Sequence, residues 1–372
     1  MKRVWKIAGL VAMALVAGGA SAAGAEYAAL DRLKLNQLRI EGSHNSYRRL
    51  PSPKEEARIR ALGPQVWRGL DYGHPPLESQ LALGLHQFEI DVAPDPTGGA
   101  YAAPYGDATP EVQALMAAPG AKVVHVPGLD TEVHCLTFRT CLQVFARWSD
   151  AHPDHAPVVI LINSVDPDLI PGIWSNPVKF DQASIDALNQ DVAEVIGRRR
   201  VITPDDVRGG HATLREAVLA KAWPRLGVAR GKFLFVLDGS GDHERYLRTG
   251  HPSLQGRMMF GWFDEASPEA AFFNIQDPTK EFDRIRQLIA AGFMVRTRAD
   301  ADTVEARTRD GRRMKAALAS GAQIVSTDYY AGVPDPEGFG YVADFGGPGV
   351  QCDPLTAPCK APTSRSGGDA GR

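Results

Sequence analysis

A handful of residues in this chain have types and spacings that could do chemistry. In LRIEGSHNSYRRL, Leu38 to Leu50, His44 and Asn45 follow directly on a short apolar run. In HQFEIDVA, Glu89 and Asp91 stand two apart on an extended segment, so their carboxylates share a face and can converge on one point. Two buried like charges repel unless something neutralises them. A divalent cation would do so. With Asn45 and Asn163 these side chains form a set of hard oxygen donors, which suits calcium, with magnesium as the substitute, rather than zinc. Ion pairs across the fold to Arg296 or Arg298 account for the carboxylates equally well. His44 and His125, the latter in KVVHV, each end a strand-like run, and histidine titrates near enough to neutrality to take and return a proton. On opposite sides of a phosphodiester the two would serve as base and acid. Arg296 and Arg298, in VRTRAD, also share a face, and guanidinium forks match phosphate oxygens; salt bridges to Asp300 or Asp302 are the competing use. His134, His152 and His155 have no comparable placement and read as structural.

The elements that must position these groups are legible as alternation. Eight runs rich in β-branched or aromatic residues read as strands: LRIEG, HQFEIDVA, KVVHV, PVVILIN, KFLFVLD, MMFGWF, FMVRTRA and QIVSTDYY. Between many of them lie stretches of helical period, as with Ile185, Leu188, Val192, Val195 and Ile196. Alternating strands and helices imply a parallel sheet, and eight strands predict a (β/α)8 barrel of the TIM type. The continuous apolarity of VVILI fits a strand covered on both faces. An open doubly wound sheet is the second choice, and no G-x-G-x-x-G follows the first strand to support it. In a barrel, chemistry gathers at the carboxyl ends of the strands. Those ends carry His44 and Asn45, Glu89 and Asp91, His125, Asn163, Asp238, Asp264, Arg296 and Arg298, and Thr327 and Asp328.

Residues 1–22, with a basic start, an apolar run and Ala20-Ser21-Ala22, read as a secretory signal peptide; the run is too short for a bilayer span. The barrel is expected over 23–344. Residues 345–372 are rich in Gly, Pro and Ser and read as a poorly packed extension held only by its cysteine pair. The four cysteines fall in two close pairs, Cys135 with Cys141 and Cys352 with Cys359, which in an exported chain predicts two local disulfides. With 44% hydrophobic residues and a net charge of −3, the composition supplies a core and no global basic field, which argues against nucleic acid as a partner. Nothing in the sequence speaks to oligomeric state.

The order SHNSY, FEIDV, VVHVPGLDTEVHCLTFRTCL, WSDAHPDHAPVVIL, ITPDDVRG, WPRLGVARGKFLFVLD, AGFMVRTRADADT and ALASGAQIVSTDYY resembles the secreted calcium-dependent phosphoinositide phospholipase C-like family, from about Leu38 to Tyr341. The resemblance implies a barrel of the phospholipase C catalytic type with calcium at its mouth. It implies that His44 and His125 are the catalytic histidines and that Asn45, Glu89 and Asp91 are calcium ligands. The implied reaction is attack of the neighbouring inositol hydroxyl on a phosphodiester, releasing diacylglycerol and a cyclic inositol phosphate that water then opens. One departure stands out: where that family carries Glu-x-Lys after the fourth strand, this chain has Asn163-Ser164-Val165, so the site loses a negative ligand and a lysine. Fewer anionic ligands mean weaker calcium binding. No lysine stands near Asp238, so the expected substrate is phosphatidylinositol or a glycerophosphodiester rather than a polyphosphorylated lipid. The aromatic stretch FGWFDEASPEAAFF offers a rim for transient contact with a membrane surface. A glycerophosphodiester phosphodiesterase with a soluble substrate, and a catalytically silent lipid-binding barrel, are the alternatives.

Overall fold

The computed structural model describes residues 27–164, 178–239 and 242–359. The expected signal peptide and the end of the tail lie outside the described residues. Among the described residues ten strands occur in chain order: β1 (Leu38–Ser43), β2 (Gln87–Ala93), β3 (Lys122–Val123), β4 (Val158–Ser164), β5 (Phe233–Asp238), β6 (Met259–Gly261), β7 (Phe272–Asn274), β8 (Met294–Arg298), β9 (Ile324–Thr327) and β10 (Val350–Cys352). Eight of them pair in parallel in the order β6-β5-β4-β2-β1-β9-β8-β7. A parallel bridge between Trp262 and Phe272 brings the two end strands together, so the sheet closes nearly into the expected barrel.

Burial explains why the strands read as they do. Every residue of β2 is buried, as are the first five of β4, because the barrel interior covers one face and helices the other. The helix Phe138–Ala151 shows the outer layer's logic. Thr137 caps it by accepting from Thr140 N at 3.1 Å, and Phe138, Cys141, Leu142, Phe145 and Ala146 form its buried stripe. Phe145 meets Phe88 of β2 and Phe233 of β5 edge-on, with ring centroids 5.1 and 6.4 Å away.

Two expectations are corrected. KVVHV is not a barrel strand: β3 is two residues long and runs antiparallel to β2, with Val123 opposite Val92 and Lys122 opposite Ala93. The reason lies in β2, which pairs with β1 only at Gln87, so the rest of that edge is open. The SHNSY loop fills it at Glu89 and β3 fills it beyond. The eighth barrel strand is instead β7, from the end of the aromatic stretch read as a rim. The tail also differs from expectation, because β10 pairs antiparallel with the start of β1 and Asp353, fully buried, pairs with Arg39 at 3.0 Å. Both expected disulfides are present, Cys135–Cys141 and Cys352–Cys359.

Candidate active site

The turn after β1 places two side chains at once. Ser46 N donates to Glu89 O at 2.9 Å and Glu89 N donates to Ser46 Oγ at 2.8 Å, which staples the loop to the exposed edge of β2. Gln80, buried in the helix Leu77–Ala82, donates to Ser46 O at 2.7 Å and accepts from Ser43 Oγ at 2.7 Å. Inside this frame Asn45 takes a left-handed conformation, φ 45°, which asparagine tolerates better than most residues. Its Nδ2 donates to Tyr72 Oη at 2.8 Å, and that commitment leaves Oδ1 buried with no partner.

His44 Nδ1 lies 3.1 Å from Asp328 Oδ1, and its Nε2 lies 3.9 Å from Glu89 Oε1. Burial, seconded by the Arg298 charge, pushes the imidazole down to about 4 against the opposing pull of Asp328. The ring is therefore neutral near pH 7, with Nδ1–H donated to Asp328 and the Nε2 lone pair available. Asp328 also receives Arg298 at 3.1 Å and lies 3.5 Å from His74 Nε2. Although burial works the other way, these partners hold its carboxyl far below the usual carboxylate range.

The acidic pair splits. Glu89 Oε2 meets Arg296 Nη2 at 2.5 Å; Arg296 spends its remaining donors on Asn274 (3.0 Å), Gln276 (2.8 Å) and Ser326 (2.8 Å). Arg296 and His44 hold Glu89 ionised against its burial. Among the described residues Asp91 has no cation, and both of its buried oxygens lack a hydrogen-bond partner. Burial first, then the Glu89 charge, pushes its carboxyl well above the carboxylate range, offset only in part by Asn163 and Tyr47. In register, Asp91 stands level with Asn163 and Asn163 level with Asp238. Asp238 accepts from Asn274 at 2.5 Å and is pushed up to about 6 by burial and by Glu89.

His125 leaves the top of β3 immediately after Val124 N donates to Asp91 O at 3.3 Å, which sets it beside the carboxyl end of β2. Its Nδ1 is 3.3 Å from Asp130 Oδ2. Asp130 in turn receives the wholly buried Arg48 at 2.7 and 3.2 Å; against its burial, Arg48 and His125 lower its carboxyl to about 2. Thus each histidine has an aspartate behind it. Sequence reasoning singled out the histidines and did not name these partners as a pair. Asp328 stood among the strand-end polar residues, but Asp130 and Arg48 lie in loops with no periodic signal. Arg298 pairs with Asp328, not with Asp300 or Asp302 among the ion pairs of the described residues, and its Nε is buried without a partner.

The family model "Phosphoinositide phospholipase C, Ca2+-dependent" matches residues 33–354. The chain belongs to that family. Its members are phosphoric diester hydrolases, and the chain is an enzyme of that class. Among the curated proteins compared with it, none matches the phospholipase chain. Among solved structures, it is similar to the calcium-dependent phosphoinositol-specific phospholipase C of a Gram-negative Pseudomonas species, at 16% identity and TM-score 0.55, with 87% of this chain and 97% of that one covered. The same Pseudomonas protein in a myo-inositol complex matches at 15% identity and TM-score 0.54, covering 87% and 96%. A calcium-dependent phosphatidylinositol-specific phospholipase C from Streptomyces antibioticus matches at 18% identity and TM-score 0.52, covering 80% and 95%. At these identities the likeness speaks for the fold. Among the described residues no three His, Cys, Asp or Glu side chains cluster as a metal site. The calcium this family depends on nevertheless fits the donors present, because Asn45 Oδ1 and both Asp91 oxygens are buried without partners.

Proposed function

We propose that this phospholipase is exported and cleaves the glycerophosphodiester bond of phosphatidylinositol, with His44 as base and His125 as acid. The observation that supports it most is the state of His44: neutral, backed by Asp328 at Nδ1, with Nε2 turned toward the Glu89 side of the mouth. Asn45, Glu89, Asp91 and Asn163 would hold calcium, which supplies acidification of the attacking hydroxyl and spreads charge developing on phosphorus. His44 Nε2 takes the proton of the inositol hydroxyl next to the phosphate as its oxygen bonds to phosphorus. His125, with Asp130 Oδ2 3.3 Å from its Nδ1, gives a proton to the departing glycerol oxygen. Diacylglycerol leaves and a cyclic inositol phosphate forms, which water opens by the reverse proton transfers.

Arg298, whose Nε has no partner among the described residues, is the side chain for a phosphate oxygen; Arg296 serves mainly to hold Glu89. With both guanidiniums tied to carboxylates, little cationic surface remains for extra phosphates, which favours phosphatidylinositol itself. The myo-inositol complex of the Pseudomonas neighbour accords with that head group. Trp262, 41% exposed beside an open cavity of about 1060 Å³ that Asn274 and Gln276 also line, gives the mouth an apolar edge toward lipid. Two disulfides accord with an oxidising compartment, and no helix among the described residues is long and apolar enough to cross a membrane.

The test is turnover of phosphatidylinositol vesicles against glycerophosphoinositol. Wild type is expected to release diacylglycerol, and His44→Ala and His125→Ala to lose activity by ~10³-fold or more. Turnover of the soluble compound alone would show a glycerophosphodiesterase. Unchanged activity in both variants would remove the histidine assignment.

A further inference from the structure

The structure assigns a positioning role to a third histidine, His74, which nothing in the proposed chemistry uses. It is 4% exposed and every polar atom it owns is committed. His74 N donates to Arg48 O at 2.9 Å, and His74 O accepts from His134 Nε2 at 2.8 Å. Its ring Nε2 lies 2.7 Å from the backbone carbonyl of His44. A carbonyl only accepts, so Nε2 carries a proton, and the Tyr330 hydroxyl lies 3.2 Å from Nδ1. Tyr330 also stacks on the ring, with centroids 5.6 Å apart and planes at 16°, and Tyr72 meets it edge-on at 5.9 Å.

The carbonyl that His74 grips belongs to the peptide joining His44 to Asn45. That peptide leads into the left-handed residue Asn45, whose conformation carries strain that its surroundings must sustain. Fixing it sets two side chains together: His44 against Asp328, and Asn45 with its amide on Tyr72. His74 Nε2 also faces Asp328 Oδ1 at 3.5 Å, so the aspartate that orients His44 is bounded by His74 on one side and Arg298 on the other. A buried imidazole held on both ring nitrogens does what a longer, freer donor would not: it holds the peptide and the aspartate from one rigid ring. His74 thus acts on the reaction through His44 and Asn45 without touching substrate. The inference rests on the reading of His44 as base.

The test uses His74→Phe, which keeps a ring to stack on Tyr330 and removes the donor, and His74→Gln, whose amide N–H can reach the position of Nε2. On phosphatidylinositol vesicles His74→Phe is expected to lower kcat by ~10–100-fold with KM within about twofold, and His74→Gln to recover at least about tenfold of that loss. In parallel, the ¹⁵N and ¹H signals of the His44 ring should report an Nδ1–H tautomer in wild type and His74→Gln and a shifted or mixed state in His74→Phe. Wild-type kcat in His74→Phe, a loss residing wholly in KM, or no recovery in His74→Gln would overturn the role. If His74→Phe does not fold, Tyr330→Phe decides: kcat should fall ~3–10-fold with KM unchanged and the His44 signals displaced, and unchanged values would reject the proposal. If wild type turned over no phosphatidylinositol, the reaction would be wrong while the ring signals still judged the positioning.

Discussion

At Asp328 one carboxylate serves His44, Arg298 and the edge of His74, so its replacement separates orientation from mere presence of a base. Asp328→Asn leaves a group of the same shape whose amide can donate to His44 Nδ1, which would force the proton onto Nε2 and remove the lone pair that faces the site. The expected result is a fall in kcat of ~10²–10⁴-fold on phosphatidylinositol vesicles with far-ultraviolet circular dichroism unchanged; a fall under threefold would deny the aspartate its orienting role. Asn163 is the other residue on which much depends. Glu89 is already neutralised by Arg296, and Asp91 is the acid without a cation, so the donor set offers calcium little net charge. Titration calorimetry of wild type should therefore give a calcium dissociation constant weaker than ~1 μM, and Asn163→Glu, level with Asp91 in register, should tighten it by ~10-fold. Submicromolar affinity in wild type, or no gain in the variant, would refute this reading.

At the scale of elements, the loops on the β1 and β2 side of the mouth form one stitched unit. Arg49 N donates to Glu132 O and His134 N to Tyr47 O at 2.9 and 2.8 Å, and the Cys135–Cys141 disulfide ties the far end of that loop to the start of the helix Phe138–Ala151. A close backbone approach in the unit is at Gly73, where an added Cβ would sit 2.3 Å from Leu50 N and 2.5 Å from Arg49 C. These are backbone atoms that cannot swing away. Gly73→Ala should cost ~1–3 kcal/mol in chemical denaturation and lower kcat by moving His74 off the His44 carbonyl; a fully stable, fully active variant would show the loop to be looser than drawn. The same unit explains what the sequence did and did not make legible. Strands such as PVVILIN announce themselves because burial on both faces leaves a continuous apolar run. KVVHV is likewise rich in valine, yet its place was decided by the open edge of β2, a tertiary fact invisible in local pattern. The three residues of β7 hid among aromatic residues that suit a rim or a core alike. His44 and Asn45 were legible because they follow a strand, and Glu89 and Asp91 because they alternate along one, whereas Asp130, Arg48 and His74 come from loops, where no period marks which side chain turns inward.

Over the whole molecule, burial shifts carboxyl groups and imidazoles in opposite senses. Near the mouth, burial raises Asp238 to about 6 and Asp300 to about 7. An acid raised in this way favours the folded state at low pH and loses that contribution as pH climbs through its folded value. At the amino ends of β2 and β4 sit His86 and His155, both buried and both pushed down to about 4, chiefly by burial. His86 Nδ1 lies 2.8 Å from Gly84 O, while His155 spends Nδ1 on Ala156 O at 2.6 Å and Nε2 on Ser149 Oγ at 2.9 Å. Between their folded value near 4 and the ordinary 6.5 the unfolded chain binds the extra protons, so each histidine withdraws stability as pH falls through that window. By linkage the loss reaches ~2 kcal/mol per histidine at pH 5. Because the acids act the other way, net stability against pH would not isolate the effect, but a variant difference does. His155→Asn keeps a donor near Ala156 O and cannot titrate, so its destabilisation relative to wild type should shrink by ~2 kcal/mol between pH 7 and pH 5 in matched denaturant melts. A destabilisation independent of pH would mean that His155 is not held neutral by the fold. A shrinking one would place an acid-labile point before the amino end of β4, remote from His44 and His125.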